Sequence, residues 1–401
     1  MQIPLSDFGV AVNVLESSLV VPRRAVPVAV LADAAGAVRA ALETPRNFPP
    51  LRRALTPEDR ITVVVDDGLS QIGAMVNEIL KYITEAGVVA DSITLLSPPH
   101  SRQVWIDELS DAYQEVRTEV HDPSNKQCLS YLASTRRGRR IYLNRSLVEA
   151  DQTIILAGNR YDPQFGIADA TCLVYPALSD AETLHDTARQ LSLDQLGDQP
   201  TQLHHEADEV LWLLGVPFLI QVVAGEGDSI AHVVGGTVES IPGVNRLLDE
   251  SWKVTVDRPA HTVVAMVKGN GVQQDFASLA QAAFCASRVV ENGGRIIVLS
   301  HSNPPISEGM AYMRQSDNPA VAARIVQERQ PADRVALLEW LHAAGKAELY
   351  LLSDMDENVV DELFTTPLKD ARQVQRLLDL ASSSLFLEDC QKMLAVIAST
   401  G

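Results

Sequence analysis

Acidic and imidazole side chains follow two runs of β-branched and aliphatic residues that are typical of buried strands. Asp66 and Asp67 come directly after the run at 60–65, and His100 comes shortly after the run at 92–96. Ligands of open α/β sheets bind beyond the carboxyl ends of the strands, where an aspartate can position a ligand and a histidine can transfer a proton. A second interpretation stays open for each residue, since Asp67 could cap the following helix and His100 could be an ordinary loop histidine.

Other motifs give weaker indications of chemistry. The glycines at 225–227 lack the third glycine of a dinucleotide-binding fingerprint, and they leave a nucleotide-dependent oxidoreductase as one alternative function. The basic run at 136–140 is better explained as a solvated turn that enters a strand. His204 and His205 are neighbours, and neighbouring side chains on a helix point about 100° apart. That pair therefore predicts a surface helix and not a metal site.

The segments that must position these residues alternate between strand-like and helix-like patterns. Strands alternating with helices of this length indicate βαβ units and mainly parallel sheets. A less regular middle at 160–255 separates two such sets, so we predict two α/β domains, 1–255 and 256–401, with a cleft between them. The predicted strands lie at 60–65, 92–96, 152–156, 262–267, 294–299 and 348–352, and the predicted helices at 71–86, 103–112 and 276–290.

Charge and cysteine content limit the partners and the location. Over 401 residues, 33 basic side chains stand against 52 acidic ones, for a net charge of −19. That field repels nucleic acids and anionic membranes, so we expect neither as a partner. The four cysteines, Cys128, Cys172, Cys285 and Cys390, form no CxxC pair, and the chain begins without the basic and apolar stretch of a secretory signal. Both observations favour a cytoplasmic protein without disulfides or a thiolate zinc site.

Several segments also follow one another in a recognisable order and spacing. Val63–Gly68 looks like a strand with a D-x-T-R-P turn, and Ser97–Arg102 looks like a G-T-H-R-P loop. Together these segments resemble the lactate racemase family, whose members carry a nickel-pincer nucleotide between an N-terminal and a C-terminal domain. Further parts of the resemblance lie at 121–122, 135–138, 142–151, 224–232 and 269–275.

The resemblance implies roles for single residues in the first half of the chain. His100 falls on one of two acid/base histidines of the family, Asp67 falls on an aspartate that contacts the cofactor, and Ser70 replaces the arginine of the D-x-T-R-P turn. The stretch 161–172 corresponds to the family's P-H-x-F-x-G-x-S-G-G-x-K. The second acid/base histidine therefore falls at 162–164, and the lysine that tethers the cofactor falls at Cys172.

The remaining implied roles concern the metal and the substrate. The nickel histidine of the family falls near Ala188, with His185 three positions earlier as the candidate metal ligand, and a substrate-binding lysine falls near Gln274. The resemblance thus implies a nickel-pincer nucleotide as cofactor, although neither its tethering lysine nor its nickel histidine is matched here.

The predicted function is a divergent lactate racemase-like isomerase that acts at the α-carbon of a small 2-hydroxy acid or related anion in the cleft. A non-catalytic ligand-binding homologue that has lost the cofactor tether is the second alternative. An anionic substrate must bind despite the acidic surface, and nearby donors are expected to help, with Arg102 as the predicted substrate-binding residue beside Arg160, Lys268 and Asn270.

Overall fold

The structure is a computed structural model that describes residues 1–5, 8–191, 201–269 and 275–398. In chain order its strands are β1 Gln2–Leu5, β2 Val10–Asn13, β3 Leu19–Val20, β4 Arg23–Arg24, β5 Ile61–Val65, β6 Ile93–Ser97, β7 Arg117–Val120, β8 Leu129–Ser134, β9 Arg140–Asn144, β10 Gln152–Asp162, β11 Gly166–Ala168, β12 Phe218–Ala224, β13 Ile230–Gly236, β14 Lys253–Val256, β15 Ala260–Met266, β16 Val290–Leu299, β17 Glu348–Leu352, β18 Thr365–Leu368, β19 Ser384–Glu388 and β20 Leu394–Ile397.

The helices are α1 Ala34–Glu43, α2 Ile72–Glu85, α3 Arg145–Val148, α4 Ala170–Val174, α5 Ala181–Ala188, α6 Gln202–Leu214, α7 Ile241–Trp252, α8 Phe276–Ser287, α9 Glu308–Met313, α10 Pro319–Arg329, α11 Arg334–Lys346, α12 Glu357–Asp361 and α13 Ala371–Asp379. None of the helices in the described part of the chain is both long and apolar enough to cross a bilayer. The mixture of helices with mainly parallel sheets confirms the predicted α/β class.

The chain divides into two compact units, one formed by Met1–Pro27 with Trp252–Gly401 and the other by Val28–Ser251. The first residues belong with the C-terminal part because β3 pairs with β19 and β4 pairs with β14. Such pairing joins residues that are hundreds of positions apart, so no local pattern indicates it. The domain bounds 1–255 and 256–401 remain a prediction.

The unit Val28–Ser251 is built on a sheet with the order β13-β12-β10-β5-β6-β7. The strands from β12 to β7 run parallel, and β13 and β11 pair with their neighbours antiparallel. All five residues of β5 are buried, as expected for a central parallel strand that is covered on both faces. The sequence signal for this strand is therefore an unbroken β-branched run and not an alternation.

Helices cover both faces of this sheet because successive side chains of a strand point to opposite sides. Val63 and Val65 pack with the apolar face of α2, for instance Met75 and Ile79, in one core cluster. Val64 lies in the second cluster, with residues of α4 and α6. The carboxyl ends of β5, β6 and β10 thus lie between two packed layers of helices. This packing sets where the loops after these strands begin.

The other unit contains a parallel sheet with the order β18-β17-β16-β15-β19-β3, next to a three-stranded sheet of β20, β14 and β4. Its predicted strands at 262–267, 294–299 and 348–352 are confirmed within a few residues. Hydrophobic β-branched runs bounded by turn residues again identified them.

Two predictions about the first half of the chain were wrong. The helix expected at 103–112 is replaced by two short 3-10 turns, Val104–Glu108 and Asp111–Tyr113. The middle at 160–255 is more regular than expected, because β10 continues to Asp162 and then forms a hairpin with β11. The basic run at 136–140 does lie at the turn between β8 and β9, as predicted.

Candidate functional site

The carboxylate of Asp66 lies at the carboxyl end of β5 and is the most constrained group there. It is buried, and its Oδ2 accepts hydrogen bonds from Arg160 Nη1 at 2.7 Å and from the backbone N–H of Gly158 at 3.1 Å. Its Oδ1 accepts from the N–H of Gly68 at 3.0 Å. Burial alone would raise the pKa of Asp66, but the charge of Arg160 and these hydrogen bonds outweigh it, so the pKa lies below its ordinary value.

Gly158 lies close to Leu69 and to the ion pair of Asp66 with Arg160. A Cβ atom there would lie 3.1 Å from Leu69 Cδ2 and 3.4 Å from both Asp66 Oδ2 and Arg160 Nη1. The ion pair of Asp66 raises the pKa of Arg160, whose side chain is still 49% exposed. A permanently charged guanidinium with one side open to solvent can bind an anion while it remains fixed by Asp66.

Asp67 holds the loop that follows β6. Its carboxylate accepts a hydrogen bond from the Ser101 hydroxyl, one from the Trp105 indole N–H at 2.7 Å, and one from the N–H of Gln103 at 3.4 Å. The helix-cap interpretation of Asp67 is wrong, because α2 begins at Ile72 after Gln71. The aspartate instead ties the turn after β5 to the loop after β6.

This clamped loop carries His100 next to Ser101. His100 is exposed and has a backbone φ of 64°, a conformation that residues other than glycine adopt infrequently. Gln103 stiffens the same loop, since its side-chain amide donates to Ser97 Oγ at 3.1 Å and to the Glu119 carbonyl at 3.2 Å. The structure thus brings the His100 loop onto Asp67, with Arg102 exposed in the same loop.

The remaining predicted cofactor positions lie near the end of β10 and in the turn after β5. Ser70 is half-buried in that turn. Asp162, at a position where the resembled family has an acid/base histidine, accepts hydrogen bonds from the N–H groups of Gln164 and Phe165 at 2.7 and 3.0 Å. Cys172 is buried in α4, and its burial, reinforced by the negative charge of Asp169, raises the pKa of its thiol well above the ordinary value.

Cys172 also belongs to a group of buried polar side chains that joins α4 to α6. Asp169, the N-cap of α4, accepts at Oδ2 from His204 Nε2 at 3.1 Å. Burial would lower the pKa of His204, but the carboxylates of Asp169 and Asp208 outweigh it and raise the pKa to about 10. The prediction of a surface helix holds for the exposed His205 and is wrong for His204, which is 4% exposed.

The other predicted positions are spread over the chain. His185 is exposed on α5. Gln274, like Asn270, lies outside the described residues. The amine of Lys268 pairs with Glu388 at 2.6 Å in the other unit.

The glycines at 225–227 lie in the turn between the antiparallel strands β12 and β13. The dinucleotide interpretation is therefore wrong, because that fingerprint requires a helix after the glycines.

The residues present do not fit the nickel-pincer nucleotide that the resemblance implies. The tether position is a buried thiol in place of an amine, and Asp162, in place of a histidine, binds the backbone of its own turn through Oδ1. Within the described ranges, the His, Cys, Asp and Glu groups close enough to hold a metal are Asp169, Cys172 and His204, and this set does not include His185. No step of the chemistry is therefore assigned to that cofactor.

Sequence reasoning missed the roles of Trp105, Asp169 and His204. The signal for His204 was present, since it lies three and seven residues before the buried Ala207 and Leu211 and thus on the apolar face of α6. Trp105 had no such signal, because its indole finds Asp67 only once β5 and β6 are side by side.

Comparison with known proteins places this arrangement in a known fold. Residues 7–193 match the model of the lactate racemase N-terminal domain. The lactate racemase apoprotein from Thermoanaerobacterium thermosaccharolyticum is similar over 98% of this chain and 99% of its own, with a TM-score of 0.74 and 15% identity. A structural-genomics protein from Thermotoga maritima is similar over 91% of this chain and 98% of its own, with a TM-score of 0.66 and 13% identity.

No curated protein sequence matches the chain significantly. The matching family model covers Asp66, Asp67, His100 and Cys172. Residues 7–193 thus match the lactate racemase N-terminal domain model, and the chain as a whole is similar in fold to the lactate racemase apoprotein.

Proposed function

We propose that this chain is a divergent isomerase of the lactate racemase type, acting at the α-carbon of a small 2-hydroxy acid or related anion. The observation that carries the proposal is the clamp of Asp67 on Ser101 and Trp105, which fixes the His100 loop at the carboxyl edge of the sheet. Ligands of open α/β sheets bind at that edge. A rigid loop with an exposed imidazole there suits proton transfer better than a purely structural role.

In this proposal the imidazole of His100 takes the α-proton of the bound acid, and the electron pair delocalises into the substrate carboxylate. Cations that face this carboxylate stabilise the added negative charge. Arg102 lies two residues from His100 and is exposed, and Arg160 lies on β10 beside Asp66. These two guanidinium groups offer the local positive charge that an acidic protein needs at an anion site.

The opposite face of the substrate must receive its proton from water. Oδ1 of Asp162, where the family has its second histidine, accepts hydrogen bonds from two backbone N–H groups. We therefore expect inversion to be slower than exchange of the α-hydrogen with solvent. Four free cysteines, three of them buried, fit the reducing cytoplasm as the place of this activity.

The test is the interconversion of enantiomers by the full-length protein. Each enantiomer of lactate and of other small 2-hydroxy acids is incubated with the protein, and the products are separated by chiral chromatography. His100→Ala should lower the rate by about 10²- to 10⁴-fold, the usual contribution of an acid/base group. His205→Ala, which removes an exposed histidine of α6, is the matched control and should convert as the natural protein does. Absence of conversion for every acid, or equal rates with and without His100, would reject the proposal.

A second candidate function is a ligand-binding homologue without catalysis. The buried thiol of Cys172 at the tether position and the backbone-bound Asp162 favour it, because both replace groups that the family uses for chemistry. Binding of 2-hydroxy acids without turnover, measured by calorimetry and weakened about tenfold by Arg102→Gln, would support this candidate over the isomerase.

A further inference from the structure

Three side chains of different donor chemistry meet between α4 and α6. Asp169, Cys172 and His204 have exposures of 2%, 7% and 4%, and one ligand atom from each lies within 4.8 Å of the others. Asp169 and Cys172 are three residues apart at the start of α4, so their side chains share one side of the helix. His204 reaches them from the first turn of α6. Rigid elements therefore supply all three groups.

We propose that Asp169, Cys172 and His204 bind a divalent transition metal, zinc in the first place. Carboxylate oxygen, thiolate sulfur and imidazole nitrogen are the three ligand types that protein zinc sites use. The site does not depend on the function proposed above, since it requires neither His100 nor a hydroxy acid. It shares the position of Cys172 with the cofactor tether of the resembled family, but here protein side chains alone supply the ligands.

The spacing of the two closest atoms suits shared coordination. Asp169 Oδ2 and His204 Nε2 are 3.1 Å apart. Two ligands bound at about 2.0–2.1 Å in a tetrahedral zinc site are separated by roughly 3.3 Å. The same pair of atoms can therefore form a hydrogen bond without metal and one edge of a coordination tetrahedron with it, after a movement of a few tenths of an ångström.

The surroundings of the ligands are those of a metal site. Metal-binding histidines usually direct their second ring nitrogen at a carboxylate, and Asp208 Oδ2 lies 3.4 Å from His204 Nδ1. Asp169 Oδ1 accepts from both the N–H and the hydroxyl of Thr171, at 2.9 and 2.7 Å. Oδ2 and Nε2 are thus left close to each other and to Cys172, while Asp169 Oδ1 is already held by Thr171.

Charge balance is compatible with zinc at this depth. A carboxylate and a thiolate carry two negative charges, which one divalent cation cancels, and an isolated charge in such a buried place would be costly. Three protein ligands leave one position of the tetrahedron for water or a bound anion. Without metal, Asp169 and His204 form an ion pair, and the thiol of Cys172 packs in the core and contacts the Ile167 carbonyl at 3.9 Å.

The experiment measures metal binding by the full-length protein in solution. Protein is stripped with a chelator and titrated with Zn²⁺ or Co²⁺, and the bound metal is quantified by mass spectrometry. We expect about one equivalent per chain, with a thiolate-to-cobalt charge-transfer band in the near ultraviolet and strong visible bands of tetrahedral cobalt. Cys172→Ser should abolish the charge-transfer band. Cys172→Ser and His204→Gln should each weaken zinc binding by more than the roughly 10- to 100-fold typical of losing an outer partner of a ligand.

Matched variants separate this site from other thiols and histidines. Cys128→Ser removes a half-buried thiol elsewhere in the same unit, and His205→Gln changes the neighbour of His204 on α6, so both should bind metal as the natural protein does. Circular dichroism of the stripped proteins checks that each variant is folded. If His204→Gln does not fold, Cys172→Ser still decides the question. Failure of the natural protein to bind either metal, or a charge-transfer band that survives Cys172→Ser, would overturn the proposal.

Discussion

Replacing Asp66 by Asn should destabilise the Val28–Ser251 unit by about 1–4 kcal/mol. The carboxylate accepts three hydrogen bonds, whereas an amide turns an NH₂ group toward one of these donors. Leaving the buried N–H of Gly158 without an acceptor costs roughly 1–3 kcal/mol. The lost ion pair adds only about 0–1 kcal/mol, because the Arg160 side chain is 49% exposed and can turn to water.

The effect of this substitution should depend on pH in a defined direction. The folded pKa of Asp66 is lowered relative to an unfolded value of about 3.9, so the ionised carboxylate contributes its full stability above that value. The contribution is lost as the pH falls through the lower, folded pKa. The difference in unfolding free energy between the natural protein and Asp66→Asn should therefore be largest near neutral pH and shrink in acid.

Urea unfolding at several pH values, followed by circular dichroism and tryptophan fluorescence, measures this difference. Trp105 is buried in the same unit and reports on it. Asp151→Asn is the matched control, because Asp151 pairs with Arg60 at the opposite ends of the same two strands, with side chains 47% and 62% exposed. The control should cost no more than about 1 kcal/mol. Equal losses for both variants, or a loss at Asp66 that does not change with pH, would refute the reasoning.

Three further substitutions test the surroundings of the site. Trp105→Phe removes the indole N–H that donates to Asp67 and should lower the free energy of unfolding in urea by about 1 kcal/mol. Unchanged stability would show that this hydrogen bond does not stabilise the loop. Arg102→Gln should weaken binding of 2-hydroxy acids about tenfold in calorimetry, as expected for a lost charged hydrogen bond. Lys126→Gln, at an exposed position, is the control and should leave the affinity unchanged. Equal affinities of the two variants would show that Arg102 does not bind the acid. Gly158→Ala should cost about 1 kcal/mol through crowding against the Leu69 side chain. Gly345→Ala, in an open helical position, should be neutral or stabilising. Equal stability of the two variants would contradict the crowding at Gly158.

The strand ends could be predicted from the sequence because their signals are local. An unbroken β-branched run ending in Asp66 and Asp67 predicts a buried parallel strand and a polar edge, and the same reasoning located His100 after the next strand. The loops of these two strands meet in the structure, because neighbouring parallel strands end at one edge.

The contacts that give these residues their roles could not be predicted in the same way. Asp67 finds Trp105 across 38 positions, and this contact accompanies 3-10 turns where helical periodicity predicted a helix. Asp169 meets His204 across 35 positions through the packing of α4 on α6. Such pairs depend on how elements pack, whereas propensity and periodicity describe one element at a time.

Exchange of the α-hydrogen of a 2-hydroxy acid in heavy water tests the central claim most directly. The proton resonance at the α-carbon is followed by nuclear magnetic resonance with the full-length natural protein and with His100→Ala. If the clamped histidine transfers that proton, the α-proton signal should disappear with the natural protein, faster than the opposite enantiomer forms, and persist about 10²- to 10⁴-fold longer with the variant. A signal that persists with the natural protein for every acid that binds, or that disappears equally fast without His100, would contradict the proposed role of this residue.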